Sequence, residues 1–83
     1  MKILYFARLR QIIGRGEEQL DVPATVMTVQ QLIGYLSERD ERVAEALRDQ
    51  RVLKVAINQK HSALDALLSG ATEVAFFPPV TGG

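Results

Sequence analysis

The chain contains no cysteine. Disulfides, thiolate metal sites, iron–sulfur clusters and a cysteine nucleophile or persulfide are excluded together. Histidine is nearly as scarce. His61 is the only one, too little for a multi-histidine metal site or for a triad with a spare base. An excess of charge is missing as well. Ten basic and ten acidic residues give a formal net charge of zero, which argues against nucleic acid as the main partner, because phosphate binding draws on a basic excess. No apolar run approaches the roughly 20 residues of a transmembrane helix, and nothing near Met1 reads as a signal peptide. No membrane association is expected, and the expected compartment is the cytoplasm. Chemistry involving this protein must come from an unusual group or from a partner.

What is present is one small domain. A chain of 83 residues has no room for a second core, and it buries only about 60–65% of its extended surface, so that core must be efficient. Lys2 to Ala7 reads as a strand, apolar on both faces at Ile3-Leu4-Tyr5-Phe6 and therefore central in a sheet. Ala7 to Ile13 reads as a short amphipathic helix ending at Gly14. Glu17 to Val22 is a second, more exposed strand stopped by Pro23.

Thr28 opens the main helix. Its hydroxyl can cap the first turn, Gln31 holds the reciprocal capping-box position, and Met27 can staple onto Leu32. Val29, Leu32, Ile33 and Leu36 form one apolar stripe that must lie on a sheet. Gly34 interrupts this helix, which suggests close packing there. Asp40 caps a second short helix to about Leu47, with Val43, Ala46 and Leu47 inward. Glu38, Arg39, Glu41, Arg42, Glu45 and Arg48 read as a solvated polar face. Val52 to Ile57 is a strand, Asn58-Gln59 a turn into a short edge segment, and Leu64, Leu67 and Leu68 are core or under-loop residues. After the break at Ser69-Gly70, Glu73 to Phe77 is the last strand.

This order is satisfied by a mixed sheet with the long helix across one face. Placing the first and last strands side by side at the centre accounts for their apolar character. The expected fold class is α+β, a β-grasp or ubiquitin-like domain over residues 1–77. Residues 78–83 are set apart as an extended tail. Pro78 and Pro79 fix φ and supply no donor, so the strand cannot continue. From Pro78 onward the chain spans at most about 20 Å. It ends on Gly82-Gly83, whose missing side chains suit entry into a narrow pocket.

Together, Val74-Ala75-Phe76-Phe77-Pro78-Pro79-Val80-Thr81-Gly82-Gly83, the opening Ile3-Leu4-Tyr5-Phe6-Ala7 with Arg8-Leu9-Arg10, and Asn58-Gln59 resemble the small sulfur-carrier subunits of molybdopterin synthase, a ubiquitin-like family. Two positions depart from the family pattern. Gly70-Ala71-Thr72-Glu73 replaces its acidic turn, and His61 stands where an apolar residue is expected near the partner surface.

The resemblance implies that the Gly83 carboxylate is the reactive group. A ubiquitin-activating-type enzyme would adenylate it with ATP and magnesium, and sulfur would replace AMP to give a thiocarboxylate. The tail Pro78, Pro79, Val80, Thr81, Gly82 would then enter the active site of the large synthase subunit, within a heterotetramer. The chain itself would bind no cofactor and no metal, and the catalytic side chains are expected in the large subunit.

Phe76 and Phe77 are adjacent on a strand and point to opposite faces. Phe77 is assigned to the face away from the helix, beside Phe6, as a partner interface rimmed by His61. The alternatives are that both phenylalanines are core and that His61 is an ordinary surface residue. Lys54, Lys60, Arg8 and Arg10 could meet acidic partner residues, with simple solvation the preferred reading for each. Three other functions stay open: a sulfur carrier of another pathway such as thiamine, a small protein modifier, and a non-covalent β-grasp interaction module. A free-standing enzyme finds no acid–base or nucleophile constellation.

Overall fold

The computed structural model describes residues 1–79. Its elements are β1 (Lys2–Tyr5), α1 (Ala7–Ile13), β2 (Glu17–Gln19), α2 (Val29–Arg39), α3 (Glu41–Ala46), β3 (Lys54–Ile57), β4 (Lys60–Ser62) and β5 (Glu73–Phe77). The five strands form one sheet in the order β2-β1-β5-β3-β4. β1 and β5 run parallel at its centre, and every other pair is antiparallel. This is the β-grasp arrangement, with a mixed sheet and α2 as its main helix.

Strand alternation sorts the core. Ile3, Tyr5, Val55, Val74 and Phe76 are buried together with Val29, Leu32, Ile33 and Leu36, the apolar stripe of α2. The capping box opens α2 as its sequence requires. Thr28 Oγ1 accepts from the Gln31 backbone N–H at 3.2 Å, and Gln31 Oε1 accepts from the Thr28 N–H at 3.2 Å. Such a cap is worth about 1 kcal/mol.

Several elements are shorter than the apolar pattern suggests. β1 stops at Tyr5 because Ala7 adopts φ +51°, a left-handed turn out of the strand. β2 ends at Gln19, although the Leu20 N–H still donates to the Met1 carbonyl at 2.9 Å. β3 starts at Lys54, since turn bonds hold the preceding chain and leave Val52 exposed.

Three side chains also depart from expectation. Met27 is 58% exposed while Leu32 is fully buried, so Met27 is no lid on that residue. Leu67 is 68% exposed, because its backbone bridges to Thr28 while Leu68 takes the inward position. Gly34 faces open space, and a methyl group there would meet nothing within 4 Å. Its φ is ordinary, so close packing does not explain the glycine. Gly34→Ala is therefore expected to stabilise the domain by about 0.5–1 kcal/mol through helix propensity and a less free unfolded chain. A rise of several degrees in Tm checks it, and a fall would reveal a contact at that face.

A polar chain braces one flank of the fold. The Tyr5 hydroxyl donates to Glu18 Oε2 at 2.6 Å, and Arg15 bridges Glu18 at 2.9 Å and Asp40 at 3.0 Å. Asp40 in turn accepts from the Arg42 N–H at 2.9 Å and caps α3. Burial, then the bond to Glu18, pushes the Tyr5 hydroxyl far above its ordinary range. The Arg42 backbone N–H, followed by Arg15, holds the Asp40 carboxyl below the usual carboxylate range.

A depressed carboxyl pKa contributes stability above the unfolded value, near 4, and loses it as pH falls through the folded value. The urea midpoint should therefore decline below about pH 4. Asp40→Asn keeps a capping acceptor but removes the ion pair, so its acid limb should be shallower. Identical limbs would show that the ionised Asp40 carboxyl, bonded to the Arg42 N–H and to Arg15, adds nothing to stability.

Candidate functional site

The face of the sheet away from α2 carries the other half of each strand. In register it presents Leu4 from β1, Ala75 and Phe77 from β5, Lys54 and Ala56 from β3, and His61 from β4. Phe6 follows β1 and joins them. Its N–H donates to the Phe76 carbonyl at 3.1 Å before the chain turns at Ala7. A left-handed alanine costs roughly 1–2 kcal/mol relative to an ordinary turn residue. Here it diverts α1 and leaves Phe6 lying on the sheet.

Two aromatic pairs therefore sit back to back across the sheet. Tyr5 and Phe76 stack inside with ring centroids 6.2 Å apart. Phe6 and Phe77 stack outside at 4.7 Å, with their planes 4° from parallel. Phe76 is fully buried, whereas Phe6 is 41% exposed and Phe77 half-buried. The structure thus brings Phe6 and Phe77 together on the open face, and one phenylalanine of the adjacent pair is core rather than both. The His61 ring lies 6.5 Å from Phe77, at the margin of this pair.

Two shallow cavities map the patch. One of about 430 Å³ is lined by Phe6, Ala7, Lys54, His61, Phe77, Pro78 and Pro79. Its neighbour, of about 330 Å³, runs along Leu4, Ala56, Gln59, Glu73 and Ala75 and shares Phe6, His61 and Phe77. The apolar face is thus continuous with the first two tail residues. Pro78 and Pro79 donate no backbone hydrogen bond, and β5 ends at Phe77. Val80, Thr81, Gly82 and Gly83 lie outside the described residues. A groove of about 470 Å³ at another site is lined by Met1, Val22, Pro23, Ala24, Val26, Met27, Leu67, Leu68 and Ser69. No titratable side chain lines it, so it offers no chemistry of its own.

One residue that sets the geometry of β5 escaped the sequence reading. Asn58 and Gln59 both have positive φ, 49° and 71°, as a tight hairpin between β3 and β4 requires. The Asn58 carboxamide then reaches across to the start of β5. Its Oδ1 accepts from the Thr72 N–H at 2.9 Å, the Thr72 hydroxyl at 3.1 Å and the Glu73 N–H at 3.1 Å. Its Nδ2 donates to the Gly70 carbonyl at 3.2 Å. The only signal in the sequence was an asparagine at a turn, a residue that tolerates left-handed backbone and bonds nearby chain.

Among the described residues no cluster of three or more His, Asp or Glu side chains could hold a metal ion. No helix among them is long and apolar enough to cross a membrane. Among the described residues nothing on the face resembles a catalytic constellation: its titratable side chains are Lys54, His61 and Glu73 at the two cavities, Lys2 and Glu17 paired at 3.7 Å beside β2, and Arg10 in a cavity with Leu4, Phe6 and Glu17. What the arrangement can do is bind an apolar surface and present the chain that follows Phe77.

A model described as the ThiS family matches residues 3–83. The molybdopterin synthase sulfur carrier subunit of Escherichia coli (strain K12) is 40% identical over 83 residues, covering 100% of this chain and 99% of that protein. The protein of the same name from Haemophilus influenzae is 39% identical over 84 residues, again covering 100% of this chain and 99% of its own length. Among solved structures, SAMP1 from Haloferax volcanii superposes with a TM-score of 0.73 at 25% identity, covering 99% of this chain and 97% of that one. With the family model matched over nearly its whole length, and full-length relatives well above 30% identity, the chain belongs to the ThiS family, alongside the molybdopterin synthase sulfur carrier subunits.

Proposed function

We propose that this chain is the sulfur-carrier subunit of a molybdopterin synthase, and that it carries sulfur as a thiocarboxylate on Gly83. One observation carries the reading: the stacked Phe6–Phe77 pair lies exposed on a face continuous with Pro78-Pro79, in a chain similar along its full length to proteins of that name. An open apolar face beside the root of a tail suits a domain that docks first and delivers its terminus second.

The chemistry suits a terminus without side chains. A carboxylate is a poor electrophile. Its oxygen attacks the α-phosphorus of magnesium-bound ATP on an activating enzyme of the ubiquitin-activating type, and pyrophosphate leaves. Hydrosulfide then attacks the acyl carbon of the adenylate, AMP departs with a proton lost, and the thiocarboxylate remains. In the large synthase subunit that sulfur bonds to the pterin precursor, and water cleaves the acyl–sulfur bond, leaving sulfur on the pterin and Gly83 as a carboxylate. Two loaded chains, or two cycles, supply the two sulfurs of a dithiolene, which fits a heterotetramer. In this scheme the chain binds no cofactor, and the catalytic side chains belong to the partners.

Intact mass after co-expression with an activating enzyme and a sulfur source tests the carrier role. The expected change is one oxygen replaced by sulfur at the C-terminal residue, and a mass that never changes would overturn it. Copurification with a large synthase subunit, rather than with enzymes of another sulfur pathway, tests the assignment to pterin chemistry.

A further inference from the structure

The charges on the open face are unevenly placed. Far from the tail, Lys2 and Glu17 pair at 3.7 Å, and Glu73 stands opposite Lys2 in the β1–β5 register. That end carries two carboxylates to one ammonium group. At the tail end, the cavity beside Phe6, Phe77 and Pro78 contains Lys54 and His61 and no carboxylate. Neither residue belongs to any ion pair among the described residues. Lys54 sits opposite Phe77 in the β3–β5 register, and His61 opposite Ala56 in the β3–β4 register, so both flank the aromatic pair on one side. The sequence alone left Lys54 between simple solvation and an acidic partner residue, with solvation preferred. The fold sets it on the surface that docking would cover.

Covering this flank with an apolar partner would strip water from an unpaired ammonium group, which is strongly unfavourable. We propose that the partner docked on this face presents a carboxylate to Lys54 and His61, so that an acidic side chain on the large synthase subunit fixes the register in which the tail enters. This rests on the docking role given to the face above. The Lys54 charge would select that partner orientation and speed encounter, as complementary charge does at interfaces. His61 adds an imidazole N–H that can donate to the same carboxylate.

The test is the affinity of the full chain for the large synthase subunit that copurifies with it, measured against salt. Lys54→Met is expected to weaken docking about tenfold or more and to flatten the salt dependence, at unchanged Tm because Lys54 is exposed. His61→Leu is expected to weaken docking by a smaller factor. Equal affinity of Lys54→Met and wild type, or wild-type binding that does not change with salt, would overturn the proposal and indicate an apolar cover. Docking that needs Phe77 but ignores Lys54, His61 and salt overturns only this inference. Docking indifferent to Phe77→Ala removes the reading beneath it.

Discussion

Deleting Gly83, or adding one residue after it, is expected to abolish sulfur transfer and leave the domain folded. The proposed reacting group is the terminal carboxyl carbon, and its place in the partner's active site is set by tail length. One residue more or less moves that carbon by about 3.5 Å. Misplacement by 1 Å in a group-transfer step already costs on the order of a hundredfold in rate. An added residue also buries the reacting carbon inside an amide. The sixteen buried apolar residues among those described all lie at or before Phe76. A reconstituted synthase assay run beside thermal unfolding checks both halves. Either variant transferring sulfur at the wild-type rate would refute the terminal mechanism, and a large drop in Tm would show that the tail supports the fold.

The second large effect separates two neighbours. Phe76→Ala removes a fully buried ring stacked on Tyr5, and such a truncation destabilises by about 3–5 kcal/mol. A domain of this size has total stability of roughly 4–12 kcal/mol, so the variant is expected to be marginal or unfolded. Phe77→Ala, one residue on, should lose the Phe6 stacking, about 0.5–1.5 kcal/mol, and the burial of only part of a ring, so the fold loses less than with Phe76→Ala. Its loss should appear in docking instead, at about 30-fold if Phe77 is an anchor of the interface. Urea unfolding and titration against the large subunit read the two effects independently. Unchanged affinity for Phe77→Ala together with a large loss of stability would make Phe77 core and remove the docking face.

Much of this arrangement was legible because it is local. The spacing of Val29, Leu32, Ile33 and Leu36 needs only the helical repeat, and the Thr28–Gln31 capping box closes within one turn. The paired prolines end β5 through their own ring geometry. The strand boundaries were less legible. Ala7 leaves β1 through a left-handed backbone that an alanine does not advertise, and Val52 looks like strand until the Asp49–Leu53 turns claim its backbone.

The Asn58 clamp was hidden for a different reason. It joins residues 14 and 15 positions apart, and no periodicity links a hairpin turn to the start of a later strand. Gly34 gave a wrong signal because a helix glycine suggests a close neighbour, and only packing shows that none is there.

The sequence by itself determined that Phe76 and Phe77 point opposite ways, that a helix covers one face of the sheet, and that two prolines are followed by Val80, Thr81 and two glycines. Those facts follow from the two-residue repeat of a strand, the repeat of a helix and the chemistry of proline and glycine. Only the tertiary structure decided which phenylalanine is exposed. That depends on the register of β5 against both β1 and β3, with Phe76 opposite Tyr5 and Val55 on the side that α2 covers. The same register placed Lys54 and His61 beside Phe77, a juxtaposition of three strands that no local pattern encodes.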